Sequence, residues 1–139
     1  MTNYQDLLNQ IIQDMAKAGA SDLHLAPGHV PMMRLSLSLV QMNQYKILDP
    51  ETSAGLAFAL LGEERKTRFL GEKEIDFSYI YNNDHRFRVN VYSTKGYISS
   101  TLRYIPSKIP TLEELNLPPI LKIFSKISQG FVLIVGPNG

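Results

Sequence analysis

The sequence is marked first by what it does not contain. Its 139 residues include no cysteine, which excludes disulfides and thiolate metal sites and suits a reducing cytoplasm. The longest apolar runs are about five residues, whereas a membrane-spanning helix needs about 18–20. The N-terminus has neither the basic segment nor the apolar segment of a secretory signal. We therefore expect a cytosolic chain that does not insert into a membrane itself.

The sequence also lacks an excess of either charge. Its 14 Lys and Arg residues nearly balance 13 Asp and Glu residues, which gives a formal net charge of +1. General nucleic-acid binders carry a basic excess or a basic stripe, so no nucleic-acid partner is expected. Apolar residues make up 44% of the chain, as in ordinary globular proteins. The length allows one domain with a real core, or one domain of about 105 residues and a tail.

Two helical stretches are predicted in the first half of the chain. An apolar stripe at helical spacing predicts a helix that begins at the N-cap Asn3 and ends near Gly19. The residues of this stripe are Tyr4, Leu7, Leu8, Ile11, Ile12 and Met15. A second helix is predicted from Pro50 to a break at Gly62, and a shorter charged helix follows it.

Alternating segments predict strands on either side of the second helix. Residues 21–25 predict a strand, and residues 32–42 predict one or two more. Leucines are expected to point inward from the first strand and to share a face of the next, namely Leu23 and Leu25, then Leu35, Leu37 and Leu39. Residues 74–81 alternate in the same way and predict a further strand.

The best-patterned segment is a pair of strands around the turn Lys95-Gly96. Residues 86–92 alternate between an apolar and a polar face, and residues 97–104 return beside them. A two-residue turn places Arg88 directly opposite Arg103. Like charges opposite each other are destabilising, so this pair favours an anion between or above the two guanidiniums. The alternative is a solvated sheet face on which each arginine pairs with a local Asp or Glu.

Beyond these strands the composition changes. Two prolines in residues 105–110 remove backbone donors and fix φ, so this segment is predicted to be a linker. Thr111 and Glu114 have the spacing of a capping box, which predicts the start of a short helix. Another helix is predicted to begin at Pro118-Pro119 and to end near Gly130.

The last nine residues join an apolar run to a turn sequence. The run Phe131–Val135 predicts a buried parallel strand. The following turn is typical of a strand that enters a phosphate-binding loop of the form G-x-x-x-x-G-K-[S/T]. On this hypothesis Gly136, Pro137, Asn138 and Gly139 begin a nucleotide site. Any turn between a strand and a helix offers an alternative explanation.

Taken in order, these segments resemble one family. The chain is similar over essentially all of its length to the N-terminal part of PilT-type type IV pilus retraction ATPases, in the secretion and pilus-assembly ATPase superfamily. The resemblance is carried by Gly19-Ala-Ser-Asp-Leu-His-Leu25, Glu74-Ile-Asp-Phe-Ser78, Arg86-Phe-Arg-Val-Asn90, Ile105-Pro-Ser-Lys-Ile-Pro-Thr-Leu-Glu-Glu-Leu115, Leu117-Pro-Pro119 and Gly130 to Gly139. It implies an α+β fold with a PAS-like N-terminal domain over residues 1–104, built from an antiparallel sheet with flanking helices. A linker over 105–110 and the helices and first strand of a RecA-like motor domain over 111–139 would follow.

The resemblance also implies a function. Such proteins are cytoplasmic homo-hexamers that use ATP and Mg²⁺ to drive pilus retraction and twitching motility. They act through an inner-membrane pilus platform protein, at the inner face of the cytoplasmic membrane. Their N-terminal domain contributes arginines to nucleotide bound in the motor domain, and the matching residues are Arg88 and Arg103. The P-loop lysine, the magnesium-binding hydroxyl and the catalytic glutamate would lie beyond Gly139. We therefore expect no catalytic residue, no hydrolysis and only poor ATP binding in this chain.

One departure from the family and two rival functions accompany this hypothesis. The family usually has an Asp-Gly turn after the arginine equivalent to Arg34, but the sequence here is Arg34-Leu-Ser-Leu-Ser38. Without the glycine, a tight turn with φ > 0 is harder to form. The rivals are a pilus-assembly or type II secretion ATPase of the same superfamily, and a standalone PAS-like binding module without catalysis.

His24 and Asp22 offer two metal ligands, but a structural, hydrogen-bonded histidine is favoured because no other histidine has ligand spacing to it.

Overall fold

The computed structural model describes residues 3–136, and the chain divides into two units after Ser107. In chain order the elements are α1 (Tyr4–Lys17), β1 (Asp22–Leu25), β2 (Met32–Leu35), β3 (Ser38–Gln41), α2 (Pro50–Glu72), β4 (Glu74–Tyr81), β5 (His85–Thr94), β6 (Tyr97–Ile105) and a 3-10 helix (Pro119–Lys126). The first unit is therefore α+β, with an antiparallel sheet and flanking helices, as the sequence predicts.

The predicted first helix is confirmed together with its cap. Asn3 precedes α1, and its Oδ1 accepts hydrogen bonds from the backbone N–H groups of Gln5 at 3.1 Å and Asp6 at 3.4 Å. These bonds satisfy donors that the first helical turn leaves without partners. The apolar stripe of α1 is buried at Leu8, Ile11, Ile12 and Met15.

A glycine with positive φ divides α2 into two helical segments. Asp49 caps the start of α2 by accepting a hydrogen bond from the Thr52 N–H at 2.7 Å, and Pro50 occupies the first turn. Gly62 has φ 65° and ψ 175°, a conformation that is essentially restricted to glycine. The predicted break at Gly62 is confirmed. Within residues 3–136, no helix has both the length and the apolar character required to cross a membrane.

The sheet has six antiparallel strands in the order β3-β2-β1-β6-β5-β4. The predicted register of its central hairpin is confirmed, because Arg88 pairs with Arg103 across the Lys95-Gly96 turn. β1 joins this hairpin by pairing with β6, which places Asp22 opposite Arg103. These two residues are 81 positions apart in the sequence, so the pairing that completes the sheet is strongly non-local.

A two-residue turn joins β2 to β3 although the family glycine is missing. Leu35 pairs with Ser38, and Ser36 between them has φ 53°. Leu37 lies in this turn and is 88% exposed, so the prediction that Leu35, Leu37 and Leu39 share a strand face is wrong. Paired residues of an antiparallel hairpin point to the same face. Leu35 therefore shares a face with Ser38, and Leu39 lies on the other face with Arg34.

The two faces of the sheet differ in character. Leu23, Val89 and Leu102 are fully buried in the core that the sheet forms with α1 and α2. Because side chains alternate along a strand, Asp22, Arg88 and Arg103 lie on the opposite, polar face. The helices therefore cover one face of the sheet and leave the charged face outside the core.

The second unit begins with a single turn rather than a helix. The predicted capping box is confirmed: the Thr111 N–H donates to the Glu114 carboxylate at 2.8 Å, and the Glu114 N–H donates to Thr111 Oγ1 at 3.2 Å. The prediction that a helix follows this capping box is wrong. Asn116 has φ 54°, and hydrogen bonds from the N–H groups of Asn116 and Leu117 to the carbonyls of Glu113 and Leu112 form a Schellman motif. This motif ends the helical turn as soon as it has begun.

The remaining predictions for the second unit are also corrected. The helix expected between Pro118 and Gly130 is the shorter 3-10 helix Pro119–Lys126, which buries none of its residues. The strand expected over 131–135 is absent, and these residues have no regular secondary structure. A strand obtains its hydrogen bonds from a neighbouring strand, and the described residues of this unit provide none. The apolar side chains are exposed as a result, with Ile134 at 92%.

Candidate functional site

A row of charged residues crosses the polar face of the sheet. Asp22 of β1 pairs with Arg34 of β2 on one side and with Arg103 of β6 on the other. Arg103 also pairs with Arg88 of β5. Since paired residues share a face, four consecutive strands carry Arg34, Asp22, Arg103 and Arg88 in one line.

Asp22 is the buried centre of this row. Its side chain is 7% exposed, and its Oδ1 accepts a hydrogen bond from Arg103 Nε at 2.8 Å. Its Oδ2 lies 3.6 Å from Arg34 Nε and accepts a hydrogen bond from Ser21 Oγ at 2.7 Å. Burial acts to raise the pKa of the Asp22 carboxyl, but the hydrogen bonds from Arg103 and Ser21 and the charges of both arginines outweigh it. The pKa of Asp22 is therefore lowered, and the group is a stable carboxylate.

Arg88 has a looser carboxylate partner. Its Nε lies 3.7 Å from Asp76 Oδ1, and its side chain is 71% exposed. The Arg103 side chain is 72% exposed although its partner Asp22 is buried. Each arginine therefore approaches a carboxylate most closely through Nε, while most of its side chain remains in contact with solvent.

The two arginines border a shallow cavity of about 150 Å³. The residues that line it are polar or charged, namely Asp22, Asp76, Arg88, Asn90, Thr101 and Arg103. Guanidiniums bind phosphate through paired N–H groups, and the terminal nitrogens are not the ones closest to the carboxylates. The lining holds two arginines and two aspartates, so the free guanidinium donors, and not an excess of positive charge, would bind a small phosphate-like anion.

The structure separates the predicted site residues into three groups. Arg88 and Arg103 are brought together, and they also form the local ion pairs that the alternative hypothesis predicts. Gly136 is exposed in a segment without regular secondary structure. Pro137, Asn138 and Gly139 lie outside the described residues, so the loop hypothesis stays a prediction.

Sequence reasoning missed Asp22 and Arg34 as members of the site. The sequence suggests Asp22 only as a metal ligand with His24, and Arg34 only as the residue that precedes the missing glycine turn. The pairing of β1 with β6 is what brings both residues to the arginine pair. The only local signal was alternation in 21–25, which puts Asp22 on the face opposite to Leu23.

His24 lies next to this row, opposite Thr101 of β6. Its buried Nε2 has no hydrogen-bond partner among the described residues, so the expectation of a hydrogen bond is not met at this atom. Burial lowers the pKa of His24, with the charge of Asp22 opposing and the charges of Arg34 and Arg103 adding to the effect. Within residues 3–136, no three His, Asp or Glu side chains are arranged to hold a metal ion.

Comparison with known proteins finds similar sequences and similar structures among pilus and secretion ATPases. The chain is 33% identical over 132 residues to the type IV pilus retraction ATPase PilT of Pseudomonas aeruginosa, a match that covers 95% of this chain and 38% of PilT. A crystal structure of the retraction motor PilT with bound ADP superimposes with a TM-score of 0.71 at 28% identity, over 81% of this chain and 33% of that one. The ATPase DotB of Legionella pneumophila superimposes with a TM-score of 0.68 at 25% identity, over 84% of this chain and 34% of DotB. No protein-family model matches the chain.

The fold and these relatives define a domain of the type IV pilus and secretion ATPase superfamily. Within that superfamily the chain is PilT-like, and its α+β unit matches the N-terminal domain of PilT-like ATPases. The resemblance identified from the sequence is thus confirmed. The chain spans only 38% of the length of PilT.

Proposed function

We propose that this chain is the N-terminal part of a hexameric cytoplasmic ATPase that powers type IV pilus retraction and twitching motility. In this proposal residues 1–104 form the N-terminal domain, 105–110 the linker and 111–139 the start of the RecA-like motor domain. The relation to PilT and the division of the chain after Ser107 support it. ATP and Mg²⁺ would bind in the motor domain. The whole protein would act at the inner face of the cytoplasmic membrane, where its partner is a pilus platform protein.

The arginine pair is the observation that carries the proposal. Phosphoryl transfer builds negative charge on the transferred group, and positioned cations stabilise that charge. Arg88 and Arg103 sit opposite each other, anchored by carboxylates near Nε and exposed elsewhere. Their role in this proposal is to bind the phosphates of ATP when the N-terminal domain closes over the motor domain. No described group is assigned to Mg²⁺.

Substitution in the full-length protein tests this role. Arg88→Ala or Arg103→Ala is expected to lower the ATPase turnover number by about 10³-fold, as loss of an arginine finger does. Arg68→Ala is the matched control, because Arg68 is paired with Glu72 on α2 and is absent from the polar sheet face. Wild-type turnover in both sheet variants would refute the assignment of these two arginines to the nucleotide phosphates.

The 139-residue chain offers a second test. It is expected to bind ATP only weakly, because two arginines without a P-loop lysine and a metal provide few of the contacts that nucleotide needs. Isothermal titration calorimetry should therefore give no micromolar dissociation constant. A micromolar value would show that this chain carries a complete nucleotide site of its own.

A further inference from the structure

The Asp22 carboxylate is too deeply buried to be left without a cation. Its side chain is 7% exposed and lies between two guanidiniums. A buried charge that loses its partner is strongly destabilising. In the function proposed above, the Arg103 guanidinium, the closer partner, is also drawn toward phosphate, which weakens its ion pair with Asp22. The site therefore needs a second cation that can satisfy Asp22 at that moment.

Arg34 has the geometry for this task. It pairs with Asp22 from the neighbouring strand β2, on the side opposite to Arg103. Its Nε lies 3.6 Å from Oδ2, whereas Arg103 binds Oδ1 at 2.8 Å, so the two arginines use different oxygens. A movement of about 1 Å would convert the longer contact into a hydrogen-bonded ion pair. At 39% exposure, Arg34 is less solvated than Arg103 at 72%, as a residue that stays beside a buried carboxylate should be.

We propose that Arg34 is a positioning residue that takes over the charge of Asp22 when Arg103 turns to bind phosphate. The inference rests on the proposed function and assigns no phosphate contact to Arg34. It explains why a site for anions contains a buried carboxylate. Asp22 orients Arg103 before the anion binds, and afterwards Asp22 forms its ion pair with Arg34 instead. The lowered pKa of Asp22 agrees with a group that stays ionised throughout.

Arginine side-chain NMR on the 139-residue chain tests the exchange directly. The sequence has six arginines, whose Nε–H signals can be assigned through single Arg→Lys variants. Inorganic tripolyphosphate, titrated to saturation, should shift the signals of Arg88 and Arg103. The Arg34 signal should move downfield in parallel, as its hydrogen bond to Asp22 shortens, while Arg65 and Arg68 serve as internal controls.

The outcomes separate this inference from the proposed function. If Arg103 responds and Arg34 does not, the exchange is refuted while the phosphate contact stands. If neither Arg88 nor Arg103 responds, the exchange is refuted, whereas the phosphate contact in the full-length protein is judged by the turnover of Arg88→Ala and Arg103→Ala. Parallel shifts of Arg103 and Arg34 support the exchange.

A double-mutant cycle distinguishes exchange from simple charge. Arg34→Gln should weaken tripolyphosphate binding about fivefold, the effect of an ion pair worth about 1 kcal/mol. In an Asp22→Asn background, the same substitution should have an effect below about twofold, because no carboxylate needs a counter-ion. Equal weakening in both backgrounds would mean that Arg34 acts on the anion itself, which overturns the inference. If Asp22→Asn does not fold, as judged by amide signal dispersion, the wild-type Arg34 shift decides.

Discussion

At the scale of single residues, the buried carboxylate of Asp22 organises the polar sheet face. It accepts hydrogen bonds from Arg103 and Ser21 and lies within ion-pair distance of Arg34. The arginines are long side chains with many rotamers, and exposed ion pairs alone would not hold them in one place. A carboxylate fixed in the sheet restricts them, because its own position is set by the pairing of β1 with both neighbours.

Removal of the Asp22 charge should therefore cost stability. Asp22→Asn is expected to lower the free energy of unfolding at pH 7 by about 1–2 kcal/mol, less than for a fully buried pair because both guanidiniums retain solvent. The folded-state pKa of Asp22 is lowered, so its contribution is present above the unfolded value of about 3.9 and is lost as pH falls through the folded value. Urea unfolding at pH 7 and at pH 2–3 should show the difference shrinking in acid. A constant difference would contradict the charged role.

His24 should add a second acid-sensitive contribution at higher pH. Burial lowers its pKa, so the folded state favours the neutral imidazole. This stability is present above the unfolded pKa of about 6.5 and is lost as pH falls through the folded value. His24→Gln should consequently lose less stability than the wild type between pH 7.5 and pH 5. Equal losses in urea unfolding would show that His24 does not carry this dependence.

At the scale of elements, backbone geometry explains several boundaries better than side-chain pattern does. Gly62 ends the first segment of α2 because its φ of 65° and ψ of 175° lie outside the helical region. Gly71, in the same helix, has no positive φ and no atom within 4 Å of the place where a Cβ would stand. The two glycines thus form a matched pair that differs in backbone conformation.

Alanine substitution should therefore have opposite effects at these two positions. Gly62→Ala is expected to lower the free energy of unfolding by about 1–3 kcal/mol, because the space is open and only the backbone is strained. Gly71→Ala is expected to raise it by about 0.5–1 kcal/mol, because alanine restricts the unfolded chain. Thermal unfolding followed by circular dichroism measures both. Destabilisation by Gly71→Ala would show that the glycine has a packing role.

The elements also show where sequence reasoning succeeds. The β5–β6 hairpin was predicted with its register, because the Lys95-Gly96 turn and the alternation around it are local signals. The pairing of β1 with β6 was not predicted, because no local pattern specifies a partner 81 residues away. Half of the candidate site was therefore visible in the sequence, namely Arg88 and Arg103. The residues that anchor them required the assembled sheet.

At the scale of the whole molecule, the two units differ in how far their apolar side chains are buried. Among residues 3–136, every member of the buried core belongs to the first unit, from Leu8 to Leu102. The second unit buries none of the residues of its 3-10 helix, and its apolar run beyond Gly130 is exposed. Contiguous exposed apolar surface of this kind favours association.

A chain that ends at Ser107 should consequently associate less than the 139-residue chain. It is expected to unfold cooperatively with nearly the same free energy as the 139-residue chain, because it retains the complete core. Sedimentation velocity should show a monomer for the shorter chain and concentration-dependent association for the longer one. Leu133→Ser with Ile134→Ser in the longer chain is the matched control, since it keeps the length and removes two exposed apolar side chains, at 70% and 92%. If the double variant still associates as strongly as the wild type, the polar face or a strand edge of the first unit is the contact surface instead.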